Sequence, residues 1–324
     1  MTTTYPYPFT VPSPKPIPPE LLRESVRRFT RQDLWAVMMI AEHQVLTTAQ
    51  LTVLGFRPDQ QVAERRLRIL ARRGWLDRFG TITRTGDIVT VWCLGPLGAD
   101  ITSAPAGPSP SPARTYRRRE RLRTSSDLEL VMETNQFFVD LAAHARTTAH
   151  TDLREWWSPR TCHAVTTPER RQAWHGAYAH QGQQHGFWLE PDPGDTSAAA
   201  LAGRVHHYPA IAERTGLATL LFRTTDPQRE QDLHRKLARL NLRQLTVATT
   251  HPDAGHPADS VWQPAGGSER IALHQLPTTE QVVHPNDDAF FLDAQNLAPH
   301  PIHDPERPGE EAIVNGEYSY TRQP

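Results

Sequence analysis

The stretch DQQVAERRLRILARRGWLDRFGTITRTGDIVTVWCL (59–94) decides how the first third of the chain is read. Its opening half has helical spacing. Ala63, Leu67 and Leu70 fall at intervals of four and three, one apolar stripe along a helix. Gln61, Arg65, Arg68 and Arg72 fall at intervals of four, three and four on a different stripe, expected to face solvent. Pro58 suits the first turn of this helix and Gly74 its end. After Gly74 come two runs rich in β-formers around Thr85-Gly86-Asp87, and a Gly-Asp pair suits a tight hairpin turn.

Upstream, Asp33 is a candidate N-cap for LWAVMMIAEH, whose apolar residues wrap a buried helix. VLTTAQLTVLGF then offers a short second helix, capped by Thr47 or Thr48, with Leu51 and Leu54 inward and Gly55 at its end. Three helices followed by a β-hairpin is the order of a winged helix-turn-helix. In that geometry the third helix enters the major groove and the hairpin reaches the backbone. Gln60, Gln61 and Arg65 are then the candidates for base edges, since Gln pairs with adenine and Arg with guanine. Arg68, Arg72, Arg78 and Arg84 are placed for phosphates, and Thr47 and Thr48 can hold a phosphate at the second helix's N-terminus. The expected partner is double-stranded DNA. An arginine stripe alone would be read as a solvated helix face; its position between a short helix and a basic hairpin argues for DNA.

Formal net charge is −1, but charge is unevenly spread. Between Arg57 and Arg84 eight arginines face only Asp59, Glu64 and Asp77, and RTYRRRERLR (114–123) adds six against Glu120. From Asp253 onward twelve acids outweigh three arginines. A basic front and an acidic tail suit a polyanion partner for the front. Lys15 and Lys236 are the only lysines, so arginine enrichment as such follows base composition and says little about function. With Cys93 and Cys162 alone a disulfide framework is excluded, and a cytoplasmic site is expected. No apolar run approaches the roughly 20 residues of a membrane span, and the N-terminal sequence lacks the pattern of a signal peptide, so no membrane partner is expected.

These patterns divide the chain into a Pro-rich disordered arm (1–20), a winged helix-turn-helix domain (21–102), a Pro/Ser linker (103–113), an α/β domain (114–276) and an acidic, Pro-rich tail (277–324), mostly disordered apart from short apolar islands such as AFFLDA (289–294). In the α/β domain TSSDLELVMETNQFFVDLAAHA (124–145) reads as a long helix capped by Ser125 or Ser126, with Asn135 expected at the surface. The RRRER run before it is either a DNA contact or a charged connector. Trp156 and Trp157 read as core aromatics, and GAYAH (176–180) pairs with HGFWLEPD (185–192) around QGQQ. A helix from Thr196 through HHY, strand ATLLFR (218–223), helix DPQREQDLHRKLARLN (226–241), strand QLTVATT (244–250) and a closing segment (260–276) complete a mixed sheet flanked by helices. The fold class is α+β / α/β.

A winged helix, the NQFFVDL helix, WWS, F-x-LE-x-D with a downstream helix ending in Tyr, and a closing VWQP together resemble the bacterial replication-relaxation family over residues 33–276. Such proteins are carried on plasmids and integrating elements. The resemblance implies a DNA-binding protein of mobile-element replication or transfer, acting with replication or transfer proteins. It also implies a restriction-endonuclease-like second half. That fold places an Asp on one strand and an acid-x-Lys on the next, because magnesium wants several hard oxygen ligands and must activate water.

Glu190 and Asp192 match the family's E-x-D, but Gly176 stands where the first acid falls and Arg204 where a Lys is usual. Arginine cannot deprotonate and is a poor substitute there. Asp195 or His175 is the nearest compensation, and Asp-Pro-Gly is also ordinary turn chemistry. The expectation is a nuclease-like domain used for binding or assembly, without a cofactor. The alternatives are a magnesium-dependent nickase or endonuclease using Glu190 and Asp192, and a winged-helix transcriptional regulator. A homodimer is left open. The sequence has no CxxC, HExxH, GxxxxGK[ST] or GxGxxG, and HHY (206–208) falls in a helix rather than in a relaxase triad.

Overall fold

In the computed structural model, which describes residues 29–56, 59–103, 112–165, 173–242, 244–279 and 298–303, the first element is helix α1 (Arg31–His43). It opens on a reciprocal cap. Thr30 Oγ1 accepts from the Asp33 N–H at 3.2 Å, and the Asp33 carboxylate accepts from the Thr30 N–H at 2.8 Å. The N-cap is therefore Thr30 and not Asp33, which sits one turn inside the helix. Both residue types cap, and only the backbone decides which does.

Strand β1 (Leu46–Thr47) leads into α2 (Thr48–Leu54), whose cap is Thr47 with Gln50 closing the box. Helix α3 (Gln60–Arg72) starts at Asp59, which accepts from the Gln61 N–H, and it buries Ala63, Leu67 and Leu70. Pro58 lies outside the described residues. Strands β2 (Leu76–Ile82) and β3 (Ile88–Leu94) pair antiparallel from Leu76↔Leu94 to Ile82↔Ile88, and β1 joins the free edge of β3. The connection is a loop, Thr83 to Asp87, rather than a two-residue turn. The Thr83 N–H donates to Asp87 O at 2.9 Å, and Gly86 takes φ +88°, a conformation that suits a residue without Cβ.

Helix α4 (Pro96–Ser103) follows, then α5 (Pro112–Arg123) and α6 (Leu128–Thr147). The sequence pattern predicts no helix at α5. Its packed face is formed by Thr115, Arg119 and the half-buried Leu122, so it has no apolar periodicity to read. Leu122, Leu128 and Met132 pack with Val45, Phe79, Val91 and Cys93 on one face of the hairpin. On the opposite face Trp92 lies against α2, its Nε1 donating to Thr48 Oγ1. The base of the hairpin is thus covered on both faces, while Gly80, Ile82 and Thr85 to Ile88 are exposed.

The described residues up to Met132, with His303, form one compact unit; those from Glu133 to Ile302 that are described form a second. Helix α6 begins in the first and continues in the second. Asn135 is fully buried there, against expectation, because it stands three residues before Phe138 and four before Val139 on the packed side of the helix. The arm (1–20), most of the linker (104–111), the island AFFLDA and most of the tail (280–297, 304–324) lie outside the described residues.

The second unit is built on a six-stranded mixed sheet in the order β4 (Thr151–Trp157), β5 (Trp174–His180), β6 (Gln183–Pro191), β7 (Thr219–Arg223), β8 (Thr246–Thr250), β9 (Gln263–Pro264). Strands β6, β7 and β8 run parallel, and the other pairs are antiparallel. Strand β4 covers LREWW, a stretch whose sequence pattern assigns it to no element. Only Gln181 and Gly182, both at positive φ, form the β5–β6 turn. One face of the sheet packs Trp156 and Phe187 against Phe138 of α6. The other packs Trp157, Trp188 and Phe222 with Leu201 of α8 (Ala198–Gly203), Tyr208 and Ile211 of α9 (Tyr208–Thr215), and Leu233 and Leu237 of α10 (Pro227–Leu237). A short α7 (Pro159–Val165) follows β4. The single helix expected from Thr196 is instead α8, a 3₁₀ turn (Arg204–His207) and α9. Pro209 accounts for the break, because it lacks an N–H and its ring crowds the carbonyl four residues back.

Candidate nucleic-acid interface and the buried carboxylates

Helix α3 holds its polar stripe outward because Ala63, Leu67 and Leu70 fix the opposite side in the core. Gln60, Gln61, Arg65, Arg68 and Arg72 are all exposed. Arg68 pairs with Glu64 one turn earlier, an exposed pair of small energetic weight. Arg65 and Arg72 have no acidic partner among the described residues. The helix is fixed from its other flank by Arg66, which hydrogen-bonds the buried Asp33 of α1 through Nε at 2.6 Å. That bond, against the cost of burial, holds the Arg66 pKa above its ordinary value. Sequence reading missed this clamp, although one arginine standing off the outward stripe was its visible sign.

Along the hairpin, Arg78 is half-buried with its guanidinium 5.6 Å from the Trp92 ring centre. Arg84 is exposed at the loop and lies 3.4 Å from Glu129. Thr47 and Thr48 are 8% and 6% exposed. The Thr47 hydroxyl accepts from the Gln50 N–H and the Thr48 hydroxyl from the Trp92 indole, so both are engaged within the fold. Among these side chains Gln60, Gln61, Arg65, Arg68, Arg72 and Arg84 are exposed, Arg78 is half-buried, and Thr47 and Thr48 are buried.

The second unit treats its charges in the opposite way. Glu190, near the end of β6, is 1% exposed, and Asp192 just beyond the strand is 2% exposed. Glu190 accepts from Arg204 Nη1 at 2.9 Å and from the Tyr208 hydroxyl at 2.7 Å. Asp192 accepts from Arg229 Nε at 2.5 Å and Nη2 at 3.0 Å, and Arg229 also donates to Thr196 O. The hydrogen bond to Asp192 raises the Arg229 pKa above its ordinary value. In the sequence Arg204 stands where a Lys is usual, and nothing there points to Arg229, which stands 37 residues from its partner.

These residues do not fit a magnesium ion. Strand alternation puts Gly176 on the face of Phe187, opposite to the face where Glu190 meets Arg204 and Tyr208. A Cβ at position 176 would stand 2.5 Å from Phe187 Cζ and 2.7 Å from Phe138 Cε1, so the position has no room for an acid. Neither residue named as compensation reaches Glu190 by a hydrogen bond. Asp195 is exposed and bonds Thr196, while His175 is spent on Glu155 at 2.9 Å and the Phe187 carbonyl at 3.1 Å. Among the described residues no three His, Cys, Asp or Glu side chains gather as a metal site. Among the same residues no helix is long and apolar enough to cross a membrane.

The replication-relaxation family matches residues 37–223, more than half of the chain. The match begins in α1 and ends with β7, so it takes in both the outward arginines and the buried carboxylates. No curated protein matches.

Proposed function

The chain belongs to the replication-relaxation family, and on that premise we propose that it binds duplex DNA in the replication or relaxation of a mobile element. The observation that carries the proposal is the exposed stripe Gln61, Arg65, Arg68 and Arg72 on α3, beside a hairpin whose loop carries Arg84. In this reading the first unit is a winged helix. Gln60, Gln61 and Arg65 meet base edges, and Arg68, Arg72, Arg78 and Arg84 meet phosphates. Thr47 and Thr48 set the position of α2 through their hydrogen bonds. The second unit is a scaffold for binding or assembly with replication or transfer proteins. Its carboxylates hold the sheet to the helices, and no cofactor is assigned to it.

The experiment is a gel shift against tiled duplexes from the protein's own genetic element, with Arg65→Ala/Arg68→Ala beside the wild type. A base-reading arginine contributes about 1–3 kcal/mol of discrimination, so the double variant should lose at least tenfold in affinity for its preferred tile. Equal binding by the two proteins would remove α3 from the interface. Supercoiled plasmid incubated with magnesium tests the scaffold role, since no nicking that depends on Glu190 is expected.

A further inference from the structure

Helix α5 is a second basic surface of the first unit. Its stretch Arg114–Arg123 holds six arginines and one acid, and that acid, Glu120, is paired with Arg119 and Arg123 at 3.0 Å each. The inward side is unusual because it is polar. Thr115 and Arg119 are 3% and 4% exposed, and Arg119 reaches across to Asp77 of β2 at 3.2 Å. This pair fixes which side of α5 faces the hairpin, and so which arginines face away from it.

The residues facing away are Arg114, Arg117 and Arg121, all exposed and spaced by three and four. They make one stripe about 10 Å long, from the 1.5 Å rise per residue. Three cations over that length match about three successive phosphates of one strand, at roughly 3.4 Å of axis each. The outward stripe of α3 has the same spacing logic but opens with Gln61, which reads bases. The stripe on α5 has arginine alone.

We propose that α5 is a second DNA-contact element, in which Arg114, Arg117 and Arg121 take phosphates of the duplex that α3 reads. The contact flanks the hairpin, lengthens the footprint, and sets affinity without setting sequence choice. The inference rests on the DNA-binding reading of α3, and charge complementarity selects the occupant.

The test is an anisotropy titration of the full chain on its preferred duplex and on a scrambled one, at salt from about 50 to about 200 mM. The wild type is compared with Arg114→Ala/Arg117→Ala/Arg121→Ala. Each lost phosphate contact flattens the slope of log affinity against log salt by about 0.9, so the slope should flatten by about 2.7. Over that salt range the loss of affinity should shrink roughly fortyfold, with the preference for the correct duplex unchanged. The corresponding lysine variant should restore the slope. A slope equal to wild type overturns the proposal, whether the stripe meets solvent or the chain's own acidic tail. A lost preference for the correct duplex overturns it too, by making α5 a base reader. If the wild type binds no duplex, the reading of α3 fails, and this inference with it. Should the triple variant not melt cooperatively, Arg117→Gln/Arg121→Gln replaces it, and a slope flatter by about 1.8 is then required.

Discussion

Arginine is used in two opposed ways in this chain. On α3, Arg65 and Arg72 stand exposed with no acid beside them among the described residues. In the second unit Arg204, Arg229 and Arg270 turn toward Glu190, Asp192 and Glu230, whose side chains are 1%, 0% and 3% exposed. Glu230 is held further by the Thr249 hydroxyl at 3.0 Å. In each of the latter cases a buried carboxylate meets a guanidinium, through two nitrogens at Asp192 and Glu230 and through Nη1 at Glu190, whose other oxygen accepts from Tyr208. Arginine content therefore does not locate a binding surface. What locates it is whether an acid has been buried opposite, and that depends on strand register and helix phase rather than on composition.

The largest effect should come from breaking one of the inward pairs. Arg204→Ala leaves Glu190 buried without its guanidinium, while the hydrogen bond from the Tyr208 hydroxyl stays. Removing one member of a buried pair costs about 3–5 kcal/mol, and about 3 is expected here because Arg204 reaches solvent at its edge. The denaturant midpoint of the chain, with its slope unchanged, measures this. The outward Arg65→Ala should move stability by no more than about 0.5 kcal/mol while weakening DNA binding. Equal stability losses in the two variants would erase the distinction between the two uses of arginine.

Gly176 sharpens the same contrast from the opposite side of the sheet. If it were a vacated acid position, a small side chain would be tolerated. The rings of Phe187 and Phe138 occupy that space, so Gly176→Ala should destabilise by about 2 kcal/mol, the usual range for overpacking. A variant as stable as wild type would show that the rings give way, and that the position belongs to a site rather than to the core.

The contrast between the units also explains what was legible in the sequence. The α3 stripe was readable because its two faces differ in kind, apolar at Ala63, Leu67 and Leu70, polar at Gln61, Arg65, Arg68 and Arg72. The hairpin was readable because β-formers crowd between glycines. Helix α5 was not, since the side chain it buries most deeply among its charges is Arg119 and its contact lies 42 residues away on Asp77. In the mixed sheet the strands near FWLEPDPG were visible from their apolar runs. The roles of Glu190 and Asp192 were not, because Arg204, Tyr208 and Arg229 come to them only through the sheet-and-helix packing. Asn135 misled for a related reason: one polar residue on a helix is ambiguous until the phase of Phe138 and Val139 is known.

The smallest predicted effect separates the units by pH. In the second unit His144, His185 and His274 all have pKa values lowered first by burial. Neighbouring histidines lower them further: His256 and His180 for His144, His180 for His185, and His180, His185 and His144 for His274. Asp259 opposes the shift at His144, and the Leu276 and Pro277 carbonyls oppose it at His185. Tyr178, whose hydroxyl lies 2.8 Å from His144 Nδ1, is itself pushed above the ordinary tyrosine value by burial. A histidine with a depressed folded pKa takes up its proton first in the unfolded chain. Its contribution to stability is then complete above the unfolded value of about 6.5 and is lost as pH falls through the folded value. The denaturant midpoint should therefore fall between about pH 7 and about pH 5.5, and His274→Asn should make that fall shallower. Arginines stay charged throughout this window, so affinity for duplex at fixed salt should hold steady while stability declines. If affinity followed the denaturant midpoint across that range, the histidines would be acting on the arginine surface, and the two units could not be treated as separate uses of charge.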